Sequence, residues 1–217
     1  MADDPTLAIP FPSGHLLRSS DHGAVTLRPA TWAAYKAIAA TVDAPESITR
    51  AALADAARET LAAPSPDALR RLFALTMMWG SGTSNGRGPR NTNTALRSLG
   101  LDSALAQSLD RLQDGDVGGA FLLHRKVPGV GPAFFTKWLW VVGTASGASP
   151  RPLILDSLVW TALGELGWDS RLAAGTRSWG ARYVAYLTAC ERWAEAAGDR
   201  WTPEDIEYSL FVWGRGD

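Results

Sequence analysis

Cysteine, lysine and histidine are all scarce in this 217-residue chain. The single cysteine, Cys190, excludes an intrachain disulfide. It also excludes an iron–sulfur cluster ligated within the chain, which needs several thiolates. The three histidines, His15, His22 and His124, are scattered without paired ligand spacing. No protein zinc site is therefore expected, and no cofactor is called for. No run of 18 apolar residues occurs, so no membrane span is expected. The start, MADDPTLAIPFPSG, is acidic and proline-rich. It lacks the basic-then-apolar pattern of a secretory leader, which makes a cytoplasmic location the expectation.

The chain also lacks net charge, at −1, but its charge is unevenly spread. Residues 1–66 hold five basic and seven acidic residues, residues 67–151 ten and five, and residues 152–217 six and ten. A basic centre between acidic ends can attract phosphate locally. The same numbers also fit an ordinary mixed surface. With 46% apolar residues the chain can bury a sizeable core.

Helical patterning dominates what is present. The stretch to Pro29 has prolines, glycines and no sustained period, so it reads as irregular. Helices are expected at 29–42, 45–63, 65–79, 89–99, 102–113, 117–126, 132–143, 156–166, 178–197 and 203–213. Segment 45–63 places Ile48, Ala52, Leu53 and Ala56 on one side, with Pro-Glu in its first turn. Segment 65–79 opens Ser-Pro-Asp and carries Leu69, Leu72, Phe73 and Thr76 at helical spacing. The last helix opens TPED, with Thr202 as cap. The loop 143–152 is long enough to be an insertion.

One stretch carries chemistry. VPGVG at 127–131 opens the apolar helix PAFFTKWLW. Gly129 and Gly131 permit a tight turn and a close backbone approach. The free amides and positive dipole end of the following helix suit a phosphate, with Arg125 and Lys126 as nearby cations. Such a contact positions a protein without reading sequence. The same residues also make a plain helix–helix turn. A lone acid, Asp156 in LILDSLVW, then stands at the next helix start. A carboxylate there caps a helix, and it can also stabilise a developing cation or activate water or an amine.

VPGVG entering a helix, followed by that aspartate, resembles the helix-hairpin-helix DNA glycosylase superfamily. LFALTMMWGSGTSNGRGPRNTNTAL (72–96) is similar to the family's helix–loop–helix that inserts into DNA. DIEYSLFVWGRG (205–216) resembles the closing helix of the 8-oxoguanine branch. The resemblance covers residues 66–217. It implies an all-α, two-lobed fold with a DNA cleft between lobes, residues 1–65 packing on a 66–217 core. It also implies a monomer that binds double-stranded DNA, flips a damaged or modified base (an 8-oxoguanine-like purine) and breaks its N-glycosidic bond.

The family's catalytic aspartate falls on Asp156. Bifunctional members carry a lysine two residues after the second hairpin glycine, where this chain has Ala133. Lys137 lies one turn further on the same helix face. Burial in an apolar helix disfavours a charged amine, as a nucleophilic amine requires. A lysine reaching solvent or phosphate fits equally, and water would then be the attacking group. The expected DNA contacts are Arg125, Lys126, Val127, Gly129, Val130 and Gly131. To these the basic loop at 80–91 adds Thr83, Asn85, Arg87, Arg90 and Asn91. Base extraction leaves a gap to fill, and the resemblance makes Asn85 or Arg87 the filler. Ten tryptophans are many for this length. Trp79, Phe135, Trp138 and Trp213 are the candidates for the base pocket, since an aromatic face can stack on a flipped base.

Two other readings stay open. One is a defence enzyme of the same class acting on modified bases of foreign DNA. The other is a helix-hairpin-helix DNA-binding module without catalysis, which Ala133 favours and Asp156 opposes. A helical protein–protein adaptor is weaker and predicts no salt-dependent DNA affinity.

Overall fold

Hydroxyl and carboxylate side chains cap six of the twelve α-helices among the described residues, two of them with proline just behind the cap. A computed structural model of the chain describes residues 14–82 and 86–216. It is 66% helical with only a tiny sheet, an all-α protein. The chain divides into two compact units, one of Gly23–Pro152 and one of the described residues of Met1–His22 with Leu153–Asp217.

The Gly23–Pro152 unit begins with β1 (Val25–Thr26), α1 (Pro29–Ala33) and α2 (Lys36–Ala39), then β2 (Ser47–Ile48) and α3 (Arg50–Ala62). It continues through α4 (Pro66–Gly80), α5 (Gly88–Leu96), α6 (Leu101–Gln113), α7 (Val117–Leu122) and α8 (Pro132–Ser146). The strands pair antiparallel, Val25 opposite Ile48 and Thr26 opposite Ser47.

Several expectations change here: the stretch to Pro29, expected to be irregular, contributes a short strand, and the helix expected at 117–126 is an α-helix only to Leu122 before a 3-10 turn. The helix expected at 29–42 is two short ones, because Tyr35 is extended (φ −100°, ψ 111°). Alanine propensity yields to tertiary anchoring: Trp32 and Ile38 are fully buried, and the Ala37 amide donates to Asn93 Oδ1 at 3.2 Å. The helix expected from 45 starts only at Arg50, since Ile48 pairs in the sheet and Thr49 is the cap, accepting from the Ala52 amide at 3.0 Å. Its buried residues are Leu53 and Ala57, while Ala52 is exposed. The expected loop at 143–152 is also shorter, because α8 runs on to Ser146. It ends on Gly147 at φ 70°, a left-handed cap that glycine adopts without strain.

α4 follows the expected pattern. Ser65 accepts from the Ala68 amide, and Leu69, Leu72, Phe73 and Thr76 are all buried. Every residue of α8 from Phe135 to Gly143 is buried. A helix apolar all round must be surrounded, and α3, α4, α6 and α7 pack on it. At its centre Trp138 meets Phe73 edge-on, centroids 6.1 Å apart, and its Nε1–H donates to Ser108 Oγ at 2.9 Å. Arg70 joins α4 to α6 through a two-bonded pair with Asp102 (2.5 and 3.1 Å), and a third N–H reaches the Leu96 carbonyl.

The second unit holds α9 (Ser157–Glu165), α10 (Ser170–Ala174), α11 (Trp179–Ala197) and α12 (Pro203–Trp213). The short α10 is not announced by helical spacing in the sequence. It is started by Asp169, whose Oδ1 accepts from the amides of Arg171 and Leu172. α12 carries a full capping box, Thr202 and Asp205 each bonding the other's amide. Gly214 lies against α9, where a Cβ would fall 2.1 Å from the Leu158 carbonyl oxygen. Among the described residues no helix is long and apolar enough to cross a membrane.

Candidate nucleic-acid and catalytic site

The hairpin forms as its glycines require. A 3-10 turn, Leu123–Lys126, leads into Val127, and the Val130 amide closes the turn onto the Val127 carbonyl at 3.2 Å. Val127 and Val130 are buried, which pins the loop from beneath. Gly129 has φ 82°, and a Cβ there would sit 2.9 Å from the Asn91 carbonyl oxygen. The hairpin therefore rests directly on the backbone of α5.

Gly131 differs. Its φ is −83°, it is exposed, and a Cβ there would meet nothing within 4 Å. It is the N-cap of α8 and offers no side-chain cap; Pro132 follows. The Phe135 amide already bonds the Gly131 carbonyl. The Ala133 and Phe134 amides belong to the first turn, which no carbonyl of the helix can reach. Anions dock at such an end. Arg125 and Lys126 are exposed beside it, with Lys126 Nζ donating to Gln107 at 2.9 Å.

Of the Gly-rich loop, Thr83 and Asn85 lie outside the described residues. Arg87 and Arg90 are exposed and Asn91 is half-buried. The structure thus brings Asn91 together with Gly129.

Lys137 is 8% exposed, within the buried run of α8. Its Nζ stands 5.7 Å from the centre of the Phe134 ring. Its stem passes over Gly80, where a Cβ would come within 2.6 Å of Lys137 Cδ. A side chain at residue 80 would displace the lysine, a dependence that spacing along the chain does not reveal.

Asp156 caps α9, its Oδ1 accepting from the amides of Leu158 (3.1 Å) and Val159 (3.2 Å). It is half-buried. The extended segment before it is clamped from α11: Tyr183 donates to the Leu153 carbonyl at 2.7 Å and Tyr186 to the Ile154 carbonyl at 2.8 Å. Both tyrosines are buried, and burial pushes both phenols up from their ordinary range. These two residues escaped sequence reasoning. In sequence they look like ordinary core aromatics of a helix, and nothing marks the carbonyls they reach.

The proposed base-pocket aromatics divide. Phe135 and Trp138 are fully buried and Trp79 is 4% exposed. Trp79 stacks on Trp140 at 5.6 Å, with Arg50 4.9 Å from the Trp140 ring centre. Trp213 is half-buried, donates to Glu165 at 3.1 Å and meets His15 edge-on at 5.2 Å. Among the described residues no group of three His, Cys, Asp or Glu side chains could hold a metal ion.

A family profile matches residues 18–211, and the chain belongs to the family described as "Putative 8-oxoguanine DNA glycosylase OGG-like protein". No curated protein and no solved structure matches it.

Proposed function

We propose that this protein is a DNA glycosylase that flips a modified base out of duplex DNA and cleaves its N-glycosidic bond. An 8-oxoguanine-like purine is the favoured base. The observation that supports this reading best is the bare first turn of α8. There an exposed Gly131 leaves the Ala133 and Phe134 amides uncapped beside Arg125 and Lys126, in a chain of an OGG-like family. Among the described residues no side chain caps that end, and a phosphate suits it.

In this reading Asp156 stabilises the sugar cation that develops as the base departs. The Lys137 amine forms a bond to the sugar carbon as the base–sugar bond breaks. The departing base takes the bonding pair and a proton, and the ring-opened product is an imine. If water attacks instead, its oxygen bonds the same carbon and the enzyme is monofunctional. Arg87, Arg90 and Asn91, with Thr83 and Asn85, complete the DNA contact, and Trp213 is the aromatic assigned to the base. The protein acts as a monomer, in repair or against modified foreign DNA.

The test is base release from duplexes holding 8-oxoguanine, uracil or an alkylated purine, with and without alkali and with borohydride. Asp156→Asn keeps the cap, since asparagine serves as well as aspartate there. Release that vanishes in this variant is the expected result. A borohydride adduct lost in Lys137→Ala identifies the amine, and release without adduct identifies water. A second reading rests on Ala133 at the position where bifunctional members have lysine: a DNA-binding module without catalysis. It predicts duplex binding with no release from any substrate.

A further inference from the structure

The 153–217 segment holds a pocket of about 330 Å³ that neither the hairpin nor Asp156 uses. It opens beside α9 and α11 and is lined by Trp160, Gly164, Trp168, Asp169, Ser170 and Arg182, among others. Its size is at the lower end for small-molecule sites.

Three features of its wall point to a ligand. The first is aromatic surface. Trp160 is 38% and Trp179 45% exposed, and these are the two exposed tryptophans among the described residues. Trp160 lines the pocket, and the Trp179 ring centroid lies 6.0 Å from that of Trp160. Arg182 already lies over both rings, 5.5 Å from the Trp160 centre and nearer to Trp179, and the exposed remainder of the Trp160 indole is free to stack on a ligand.

The second is a held cation. The Arg182 guanidinium lies 3.8 Å from the Trp179 ring centre, and its Nε–H donates to Ser170 Oγ at 2.9 Å. Ser170 is 97% buried, so this anchor is fixed from the core side. The two terminal nitrogens make no hydrogen bond among the described residues, which leaves a two-pronged fork for an anion.

The third is bare backbone. Gly164 is exposed inside α9, and a Cβ there would meet nothing within 4 Å. Glycine weakens a helix and packing does not demand it here. It leaves the pocket floor open. Gly167, at φ 77°, likewise faces open space. On the rim, Asp169 spends Oδ1 on two amides and Oδ2 makes no hydrogen bond among the described residues, while the carboxylate feels the charges of Arg182 and Arg171.

We propose that this pocket binds a single nucleotide, its base stacked on Trp160 and its phosphate gripped by Arg182. Asp169 accepts from an exocyclic amino group, so an amino-bearing base is preferred. The nucleotide comes either free from solution or as one residue of a DNA strand. Trp160 lies one helical turn after Asp156, so a strand nucleotide held here lies close to the candidate acid. Binding does not depend on catalysis.

Titration calorimetry on the full chain tests this with dAMP, deoxyadenosine, deoxyribose 5-phosphate and the trinucleotide d(TpApT). We expect saturable binding of dAMP, with each half-ligand weaker by about tenfold or more. Arg182→Ala should reduce dAMP to the level of deoxyadenosine, and Trp160→Ala to that of the sugar phosphate. Gly164→Leu should abolish binding with the helical circular dichroism unchanged, because that position is open. A trinucleotide that binds more tightly than dAMP identifies a strand as the source, and the reverse order identifies the free nucleotide. Absence of binding by both overturns the proposal, as does binding indifferent to Gly164→Leu and Arg182→Ala. Base release measured in the same variants keeps this outcome separate from the glycosylase reading.

Discussion

The Tyr186 hydroxyl donates to the Ile154 carbonyl at 2.8 Å, two residues before Asp156. With Tyr183 on Leu153, it fixes the segment that delivers the aspartate to the start of α9. Tyr186→Phe leaves the Ile154 carbonyl buried without this donor. We expect it to lower unfolding free energy by about 1–3 kcal/mol, measured by urea denaturation. Turnover should fall in the same variant with duplex affinity retained. A turnover equal to wild type would show that Asp156 needs no support from α11.

The same buried cluster sets an alkaline limit. Burial raises Tyr183, Tyr186 and Cys190 above their ordinary values. In the unfolded chain a thiol ionises near pH 8.5 and phenols near 10. The folded protein holds those protons, so it binds more of them than the unfolded chain does. This contribution to stability is fully present below the unfolded values and is lost as pH rises through and beyond them. Unfolding free energy should therefore fall steadily from about pH 8.5 upward. The slope should become shallower in Tyr186→Phe. Urea midpoints from pH 8 to 11 check this.

Much of the fold is readable from helix patterning, and the failures have local causes. Ser65, Thr202 and the buried face of α4 announce themselves because hydroxyl caps and 3.6-residue spacing act within one helix. Tyr35 breaks a helix that alanine favours, because Trp32, Ile38 and Asn93 hold its two sides in place. Thr49 is not legible as a cap because Pro45-Glu46 offers an equally good start, and pairing of Ile48 with Val25 decides between them. In the candidate site, glycine spacing marks the hairpin and Asp156 marks a helix start. The support of Gly129 by Asn91, of Lys137 by Gly80 and of Asp156 by the two tyrosines depends on contacts between distant segments. Periodicity carries no record of these.

The two hairpin glycines should respond differently to alanine. Gly129 has φ 82° and no room beside Asn91. Gly129→Ala should cost about 1–3 kcal/mol in stability through backbone strain, and it should weaken duplex binding as a consequence. Gly131→Ala has an ordinary φ and open space. It should cost no more than about 1 kcal/mol in stability, since alanine is a poorer N-cap than glycine, yet bind duplex DNA more weakly in the fully folded protein, because its methyl group intrudes where a phosphate approaches the α8 amides. Equal affinity in Gly131→Ala and wild type would remove the phosphate from this helix end.

Gly80→Ala tests the lysine without touching it. The new Cβ would stand 2.6 Å from Lys137 Cδ, so the side chain must shift. We expect slower borohydride trapping on a substrate duplex, with affinity for that duplex retained. If trapping proceeds at the wild-type rate, Lys137 is not the trapped amine or its present path is not the reactive one.

Asp205 supplies the opposite pH limit. Burial by itself would push its carboxyl up, but the amides of Ser19 and Thr202 and the Arg18 guanidinium together hold it below the usual range. Arg18 also donates to the Arg200 carbonyl and lies 4.2 Å from the centre of the Trp201 ring. The unfolded chain therefore takes up this proton at a higher pH than the folded one. The stabilisation is complete above the unfolded carboxylate value, near pH 4. It is lost as pH falls through the lower folded value. Asp205→Asn should lower stability at pH 7 and flatten the decline between pH 5 and pH 2. The variant and wild type should converge at the acid end, where both side chains are neutral. Thermal unfolding across that range decides the matter, since a gap that stays constant with pH would assign Asp205 a packing role without a charge.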